Sequence, residues 1–310
     1  MSRRALQGFD PRWEDIDQMG GLYIVPPDMS VEEIQLELGG GAVRAVEMHG
    51  GDLASLADFP VEYLFTTWPN VDAAPINRMT RLRGLSLDSW GGDLLVSRLR
   101  HLEWFGVVEV EHGQLDELFD NGHPTLRWFS AGKYREPDIS PLERLVGLTS
   151  LAVVDSRKLT TLEGLGALSR LASLDLTMCP KLASLDGIEA ATALQAVTLE
   201  TCNRVDDLGP LANLPDLRVV QIEMRSTPSV APLAGHPSLE YLWVIGRKPP
   251  SGEIEALLET TSLRMINAGR ATWLRLPTGW KHFEDSYTMS EDELHLREQF
   301  LAALNGLKYQ

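Results

Sequence analysis

Only two of the 310 residues are cysteine, Cys179 and Cys202. So few thiols exclude a disulfide-stapled scaffold and fit a reducing compartment. The chain also lacks any run of about 18 apolar residues of the kind that spans a bilayer. Arg3 and Arg4 stand near the start, but Asp10, Glu14, Asp15 and Asp17 follow where a secretory signal would have its apolar stretch. The expectation is a cytoplasmic protein with no membrane among its partners. Basic residues are scarce too, 28 Lys and Arg against 44 Asp and Glu, for a formal net charge of −16. Such a field repels phosphate backbones, so nucleic acid is not an expected partner, and it speeds encounter with a basic one. Arginine outnumbers lysine, a usage that fits a GC-rich bacterial genome.

Motifs for chemistry are missing as well. Gly39–Gly41 is not followed by the Lys-Ser/Thr of a phosphate loop, and the seven histidines fall in no metal-binding spacing. His123-Pro124 and His236-Pro237 occupy corresponding turns and read as structural. No catalytic residue, cofactor or metal is expected, and the chain reads as non-enzymatic.

What the chain has instead is a period. Four segments run on without gaps from Leu148, Leu171, Leu194 and Leu217, each 23 residues from the last. Each opens on the pattern L-x-x-L-x-L-x-x-N/C-x-L. A short strand there would point alternate residues inward, Leu174 and Leu176 for example. The template extends to Leu239 and Leu263 downstream, and to Leu126, Leu102, Leu82, Val61 and Val43 upstream, eleven anchors in all.

This pattern resembles the leucine-rich-repeat family, in particular its internalin-like bacterial members. The resemblance implies an α/β fold, a right-handed solenoid or horseshoe with a parallel concave sheet. Its convex side would be mostly 3-10 or irregular, both ends would be capped, and its surface would hold another macromolecule. In the family the N/C position points inward and satisfies backbone groups at the turn. Cys179, Cys202 and Ser156 fit that position, whereas Arg225 does not, so the ladder is expected to break there.

Residues 1–41 are expected to form the N-terminal cap, 42–270 the repeats and 271–310 the C-terminal cap. Within the first, Ser30 and Glu33 fit a capping box, but Ile34, Leu36 and Leu38 alternate as a strand does. The strand is the preferred reading. Thr272–Tyr287 reads as irregular or β. Ser290–Glu293 then opens a helix to about 307, with Leu294, Leu296, Phe300, Leu301, Leu304 and Leu307 at roughly helical spacing.

The third, fifth and seventh positions after each anchor should face the concave side. They place Tyr63, Phe65, Trp104 and Trp128 towards one end of the array and Tyr241 and Trp243 towards the other. Asp175, Glu200 and Glu223 lie between them, and Asp88 belongs to the seventh column. Aromatic side chains anchor protein interfaces and carboxylates suit a Lys- or Arg-bearing partner. The same aromatics would serve equally to pack beneath loops or caps. The functional expectation is a protein-binding module whose partner has basic features and docks on the concave face. A sharper form is an immunity or antitoxin-like protein that neutralises a bacterial toxin. The alternatives are a regulatory scaffold that self-associates through the C-terminal helix, and a module that recognises a glycan or small ligand.

Overall fold

The computed structural model describes residues 22–40, 44–111, 113–269, 271–284 and 291–308. It comprises two compact units, Met1–Lys133 and Tyr134–Gln310.

In the first unit the strands are β1 (Leu22–Val25), β2 (Ala45–Met48), β3 (Tyr63–Thr66), β4 (Val71–Asp72), β5 (Gly84–Leu87), β6 (Trp90–Gly91), β7 (Trp104–Val107) and β8 (Trp128–Gly132). The order β1-β2-β3-β5-β7-β8 forms a parallel sheet, and β4 pairs with β6 beside it. Ala45, Tyr63, Gly84, Trp104 and Trp128 are register partners in turn. Each is the third position of its repeat, two residues after the anchor, so the phasing holds even where the spacing shortens near Val61. Val43 itself lies outside the described residues.

The second unit continues the pattern with β9 (Ser150–Val154), β10 (Ser173–Thr177), β11 (Ala196–Glu200), β12 (Val219–Met224), β13 (Tyr241–Gly246) and β14 (Met265–Ala268), all parallel. The antiparallel strands β15 (Ala271–Leu276) and β16 (Gly279–Glu284) then cover the edge of β14. Between strands the chain returns mostly through 3-10 turns, such as Leu165–Ala167, Ile188–Ala190 and Gly209–Asn213. A repeat of 23 residues leaves no room for a long return helix. Leu174, Leu176, Leu182, Leu185 and Ile188 are fully buried between strand and turn. One repeat cannot cover these leucines alone, so the stack is stable only through its neighbours.

The turn after each strand repeats as closely as the leucines. Asp155, Met178 and Thr201, each eighth from its anchor, have φ of 51°, 54° and 56°. This left-handed kink aims the amide at the next strand: Asp155 donates to Thr177, Met178 to Glu200 and Thr201 to Glu223 through backbone carbonyls. The ninth residue then points inward. Ser156 Oγ donates to the Tyr134 carbonyl at 2.7 Å, and Cys202 Sγ to that of Leu176 at 3.2 Å. The Cys179 thiol is pushed up by its contact with Cys202 and by burial, so it stays protonated and inert. Arg225 breaks the series as expected. Strand β12 runs on to Met224, Arg225 turns out to solvent, and its amide is met by Asn203 Oδ1 at 2.9 Å.

The left-handed turn is costly for a β-branched residue. Thr201→Asn is therefore expected to stabilise the protein by about 0.5–1 kcal/mol, because asparagine tolerates this region. Urea denaturation of the two proteins measures the difference. An unchanged or lowered midpoint would show that the Thr201 turn carries no strain.

Two expectations at the N-terminal end need correction. Residues Val31–Leu38 form a helix, α1, not a strand. The capping box decides it: Glu33 N–H donates to Ser30 Oγ at 3.2 Å and Ser30 N–H to Glu33 Oε2 at 2.8 Å. Ile34 and Leu38, four residues apart, are buried, while Leu36 is 82% exposed, so the apparent alternation marks no common face. The second correction is β1, which pairs with β2 in register Leu22↔Ala45, one repeat earlier than the first anchor. Its anchor slot falls on Gly20, which hid the repeat from a leucine template.

Among the described residues three further helices remain. Short helices α2 (Asp116–Asn121) and α3 (Ser251–Leu258) replace the 3-10 turn in their repeats, and α4 is Glu291–Lys308. Ser290 of the expected second capping box lies outside the described residues.

Candidate functional site

In the first unit the third and fifth positions form an aromatic wall. Trp104 stacks on Trp128 with ring centres 4.9 Å apart, and Phe65 lies 5.7 Å from Trp104 at a tilt. Glycines make this possible. A Cβ on Gly84 would stand 2.4 Å from Tyr63 Cδ1, and one on Gly106 would stand 3.3 Å from Trp104 Cζ2. The rings thus lean across neighbouring strands into space that any other residue would fill. All four predicted aromatics come together here, and all are buried: Tyr63 2%, Phe65 1%, Trp104 3% and Trp128 6% exposed. Beside them Glu47 Oε1 lies 2.8 Å from His49 Nε2. Asp88, immediately after β5, is half-buried at the end of the same face.

The second unit treats its open face differently along its length. The third position is Ser150 on β9 and Ser173 on β10, then Ala196, Val219, Tyr241 and Met265 on β11 to β14. Strands apolar on both sides call for cover on both sides. The cover is α4. Phe300, Leu304 and Leu307 recur at positions i, i+4 and i+7, so they share one helical face, and they pack on Ala196, Val219, Tyr241, Met265 and Leu274. Phe300 meets Tyr241 edge-on at 6.2 Å and Trp243 at 4.9 Å. The helix thus lies across β10 to β13, while the hairpin β15–β16 covers the edge. Tyr241 and Trp243 are its seat. The apolar column Ala196-Val219-Tyr241-Met265 was the sequence signal for this cover.

Charge is arranged in two contrasting ways. Where the chain enters most strands, the second position alternates in sign: Arg44, Glu62, Arg83, Glu103 and Arg127 in the first unit, and, after the neutral Thr149, Ala172 and Gln195, Arg218, Glu240 and Arg264 in the second. In-register stacking brings these into ion pairs, Arg44–Glu62 at 2.9 Å, Arg83–Glu103 at 3.2 Å, and Arg218 and Arg264 on Glu240 at 2.7 and 3.2 Å. The hydrogen bond to Glu240 raises the pKa of Arg218. A groove of about 550 Å³ runs over this part of the second unit, lined by Gln195, Asp216, Arg218, Ser238, Glu240 and Arg264. Its arginines are engaged internally.

Where the strands leave, acids gather instead. Glu200 and Glu223 are register partners on adjacent strands, and Asp175 lies on β10 with Thr177 Oγ1 donating to it at 2.9 Å. All three are half-buried.

The two histidines expected to be structural are buried in their turns. His123 Nδ1 meets the Leu126 amide at 3.2 Å and His236 Nε2 the Leu214 carbonyl at 3.0 Å. Burial lowers the pKa of both. Among the described residues no three His, Cys, Asp or Glu side chains gather as a metal site, and no helix is long and apolar enough to cross a membrane.

A parallel sheet of in-register repeats, an inward leucine ladder and 3-10 returns define a leucine-rich-repeat solenoid. Solved structures with this fold include an internalin, InlF, from Listeria monocytogenes, at 16% identity over 83% of each chain with a TM-score of 0.57. The fold also matches the TLR13–ssRNA13 complex structure (13% identity, 85% of this chain, 41% of that one, TM-score 0.54) and the Drosophila Toll–Spatzle complex structure (14%, 78% and 39%, TM-score 0.53). This chain spans about two fifths of each of these two chains. No family model matches the sequence, and no curated protein matches it.

Proposed function

We propose that this protein is a non-enzymatic protein-binding module, and that the acidic residues where the strands of its second unit leave the sheet receive a basic partner. The observation that carries the reading is the Glu200↔Glu223 register. Parallel strands stand about 4.8 Å apart, and like charges in opposed positions are destabilising. Two half-buried carboxylates side by side present a place that a Lys or Arg side chain of a partner can bridge. Solved structures with this fold include both a protein complex and an RNA complex, so the fold alone does not choose between them. The net charge of −16 favours a basic protein over a phosphate backbone. A narrower reading makes the partner a toxin that this protein neutralises, which suits an acidic surface and a chain without catalytic motifs.

The test is a charge reversal. The protein captured from the host on the immobilised chain is purified and titrated against wild type and Glu200→Lys/Glu223→Lys. The variant is expected to bind about tenfold more weakly or worse, with the loss mainly in association rate and in salt dependence. Equal affinities would overturn the acidic site, and capture of nucleic acid alone would overturn the protein-binding reading. For the narrower reading, a captured protein with no toxic activity when expressed alone counts against it.

A further inference from the structure

The turns that follow the strands of the second unit carry charge of the opposite sign to the whole chain. Stretches 155–158, 178–181, 201–204, 225–227 and 246–249 hold seven Lys and Arg against one Asp, in a protein of net charge −16. The left-handed kink sets them in line. Lys158, Lys181 and Arg204 each stand three residues after a kink, at Asp155, Met178 and Thr201, whose dihedrals and amide bonds to the next strand repeat closely. They therefore form one column, with about 4.8 Å from each repeat to the next. Arg225 and Arg247 extend it, since they follow the register partners Met224 and Gly246, and Lys248 comes next in the chain. All six are exposed, and among the described residues none of their side chains makes an ion pair or hydrogen bond. The strand-entry edge differs, for there Arg218 and Arg264 share Glu240.

Apolar surface is interleaved with this stripe. Met178, in the kink before Lys181, is 42% exposed, and Ile245, two residues before Arg247, is 40% exposed. Arginine and methionine are enriched where proteins meet, whereas a phosphate backbone is held by polar contacts alone. The half-buried Glu200 and Glu223, on strands that feed these turns, also oppose the dense and uniform charge of such a backbone.

We infer that the stripe is a docking surface for an acidic segment of a protein, one with a large apolar side chain among its carboxylates. The five turns span about 19 Å, a distance that about six residues of extended chain cover. Carboxylates arriving there meet Lys and Arg side chains that have no partner within the chain, so no internal ion pair breaks on binding. The stripe uses the turns, not the strand carboxylates proposed above to receive a basic partner, and it adds a second contact of opposite sign.

Fluorescence anisotropy on the full chain at low salt tests it. The probe is a labelled peptide of about twelve residues, with about six Asp and Glu around a Leu-Phe pair. Wild type is expected to bind it saturably, and Lys158→Glu/Lys181→Glu/Arg204→Glu to bind at least about tenfold more weakly. Arg78→Glu/Arg98→Glu/Arg100→Glu makes the same change in net charge at three exposed arginines of the first unit, which also lack ion pairs among the described residues. That variant is expected to stay within about twofold of wild type. Met178→Ser is expected to weaken binding about threefold. Should the stripe variant fail to fold, Lys158→Gln/Lys181→Gln/Arg204→Gln replaces it, with a loss in the same direction.

Absence of saturable binding, or equal losses in the two charge-reversed variants, overturns the stripe. An unchanged affinity for Met178→Ser overturns its apolar contact. A single-stranded oligonucleotide of the same formal charge is expected to bind more weakly than the peptide, and tighter binding overturns a protein as the partner. Glu200→Lys/Glu223→Lys is expected not to weaken the peptide, and a loss there overturns the separation of the two surfaces. Partner capture that depends on those glutamates, with a stripe blind to the peptide, sinks the stripe alone.

Discussion

Trp104→Ala is expected to destabilise the protein by roughly 3–5 kcal/mol, the cost of emptying a large aromatic site in a packed interior. Trp104 sits between Phe65 and Trp128 and covers Gly106, so its loss empties the space these three residues share. The space cannot close easily, because the register partners on either side are held by strand hydrogen bonds. A control sharpens the test. Trp104 Nε1 is buried without a hydrogen-bond partner among the described residues, an uncompensated desolvation in the native state. Trp104→Phe removes that donor and keeps an aromatic ring, so it should cost less than half as much as alanine. Urea unfolding followed by circular dichroism gives both numbers. If alanine and phenylalanine cost the same, the ring stack contributes nothing beyond volume. If alanine costs under about 1 kcal/mol, the wall is a surface feature and not part of the core.

The second large effect is expected at a glycine. Gly164 and Gly187 occupy the same slot in successive repeats, just before the 3-10 turn, with φ of +90° and +96°. An alanine at either pays the left-handed cost of about 1–2 kcal/mol. The surroundings then separate them. At Gly164 a Cβ would stand 2.4 Å from the Ser140 nitrogen and 2.5 Å from its Cα, so backbone must move. At Gly187 the nearest atom is the Leu162 carbonyl oxygen at 3.1 Å, a contact a small shift relieves. Gly164→Ala is therefore expected to cost about 3–4 kcal/mol and Gly187→Ala about 1–2 kcal/mol. Thermal unfolding of both variants under one protocol makes the comparison. Equal losses would mean that the packing between these repeats yields freely and that only the dihedral matters.

The repeat was legible because three constraints share one period. Inward leucines, the left-handed turn and the ninth-position donor each recur every 23 residues through the middle of the chain, so any one locates the others. That is why every described anchor leads, two residues on, to the start of a strand. Where one constraint is missing the reading falters. Gly20 stands in the slot of an anchor and hides β1, although Leu22–Val25 pairs in register with β2. Residues 31–38 satisfy a strand pattern and a helix cap together, and the cap prevails because it supplies donors that a free helix end would leave unsatisfied.

The sequence by itself thus determined the fold and the columns of residues that share a face, since strand alternation and repeat length follow from covalent geometry. It also determined the formal net charge of −16. Only the tertiary structure decided which columns are open. The amphipathic stripe of Phe300, Leu304 and Leu307 is visible in the sequence, but its seat on Ala196, Val219, Tyr241 and Met265 is a contact between segments far apart in the chain. No local rule encodes such a contact. The alternating ion pairs have the same origin, for Arg218 and Glu240 are neighbours only once their strands are in register.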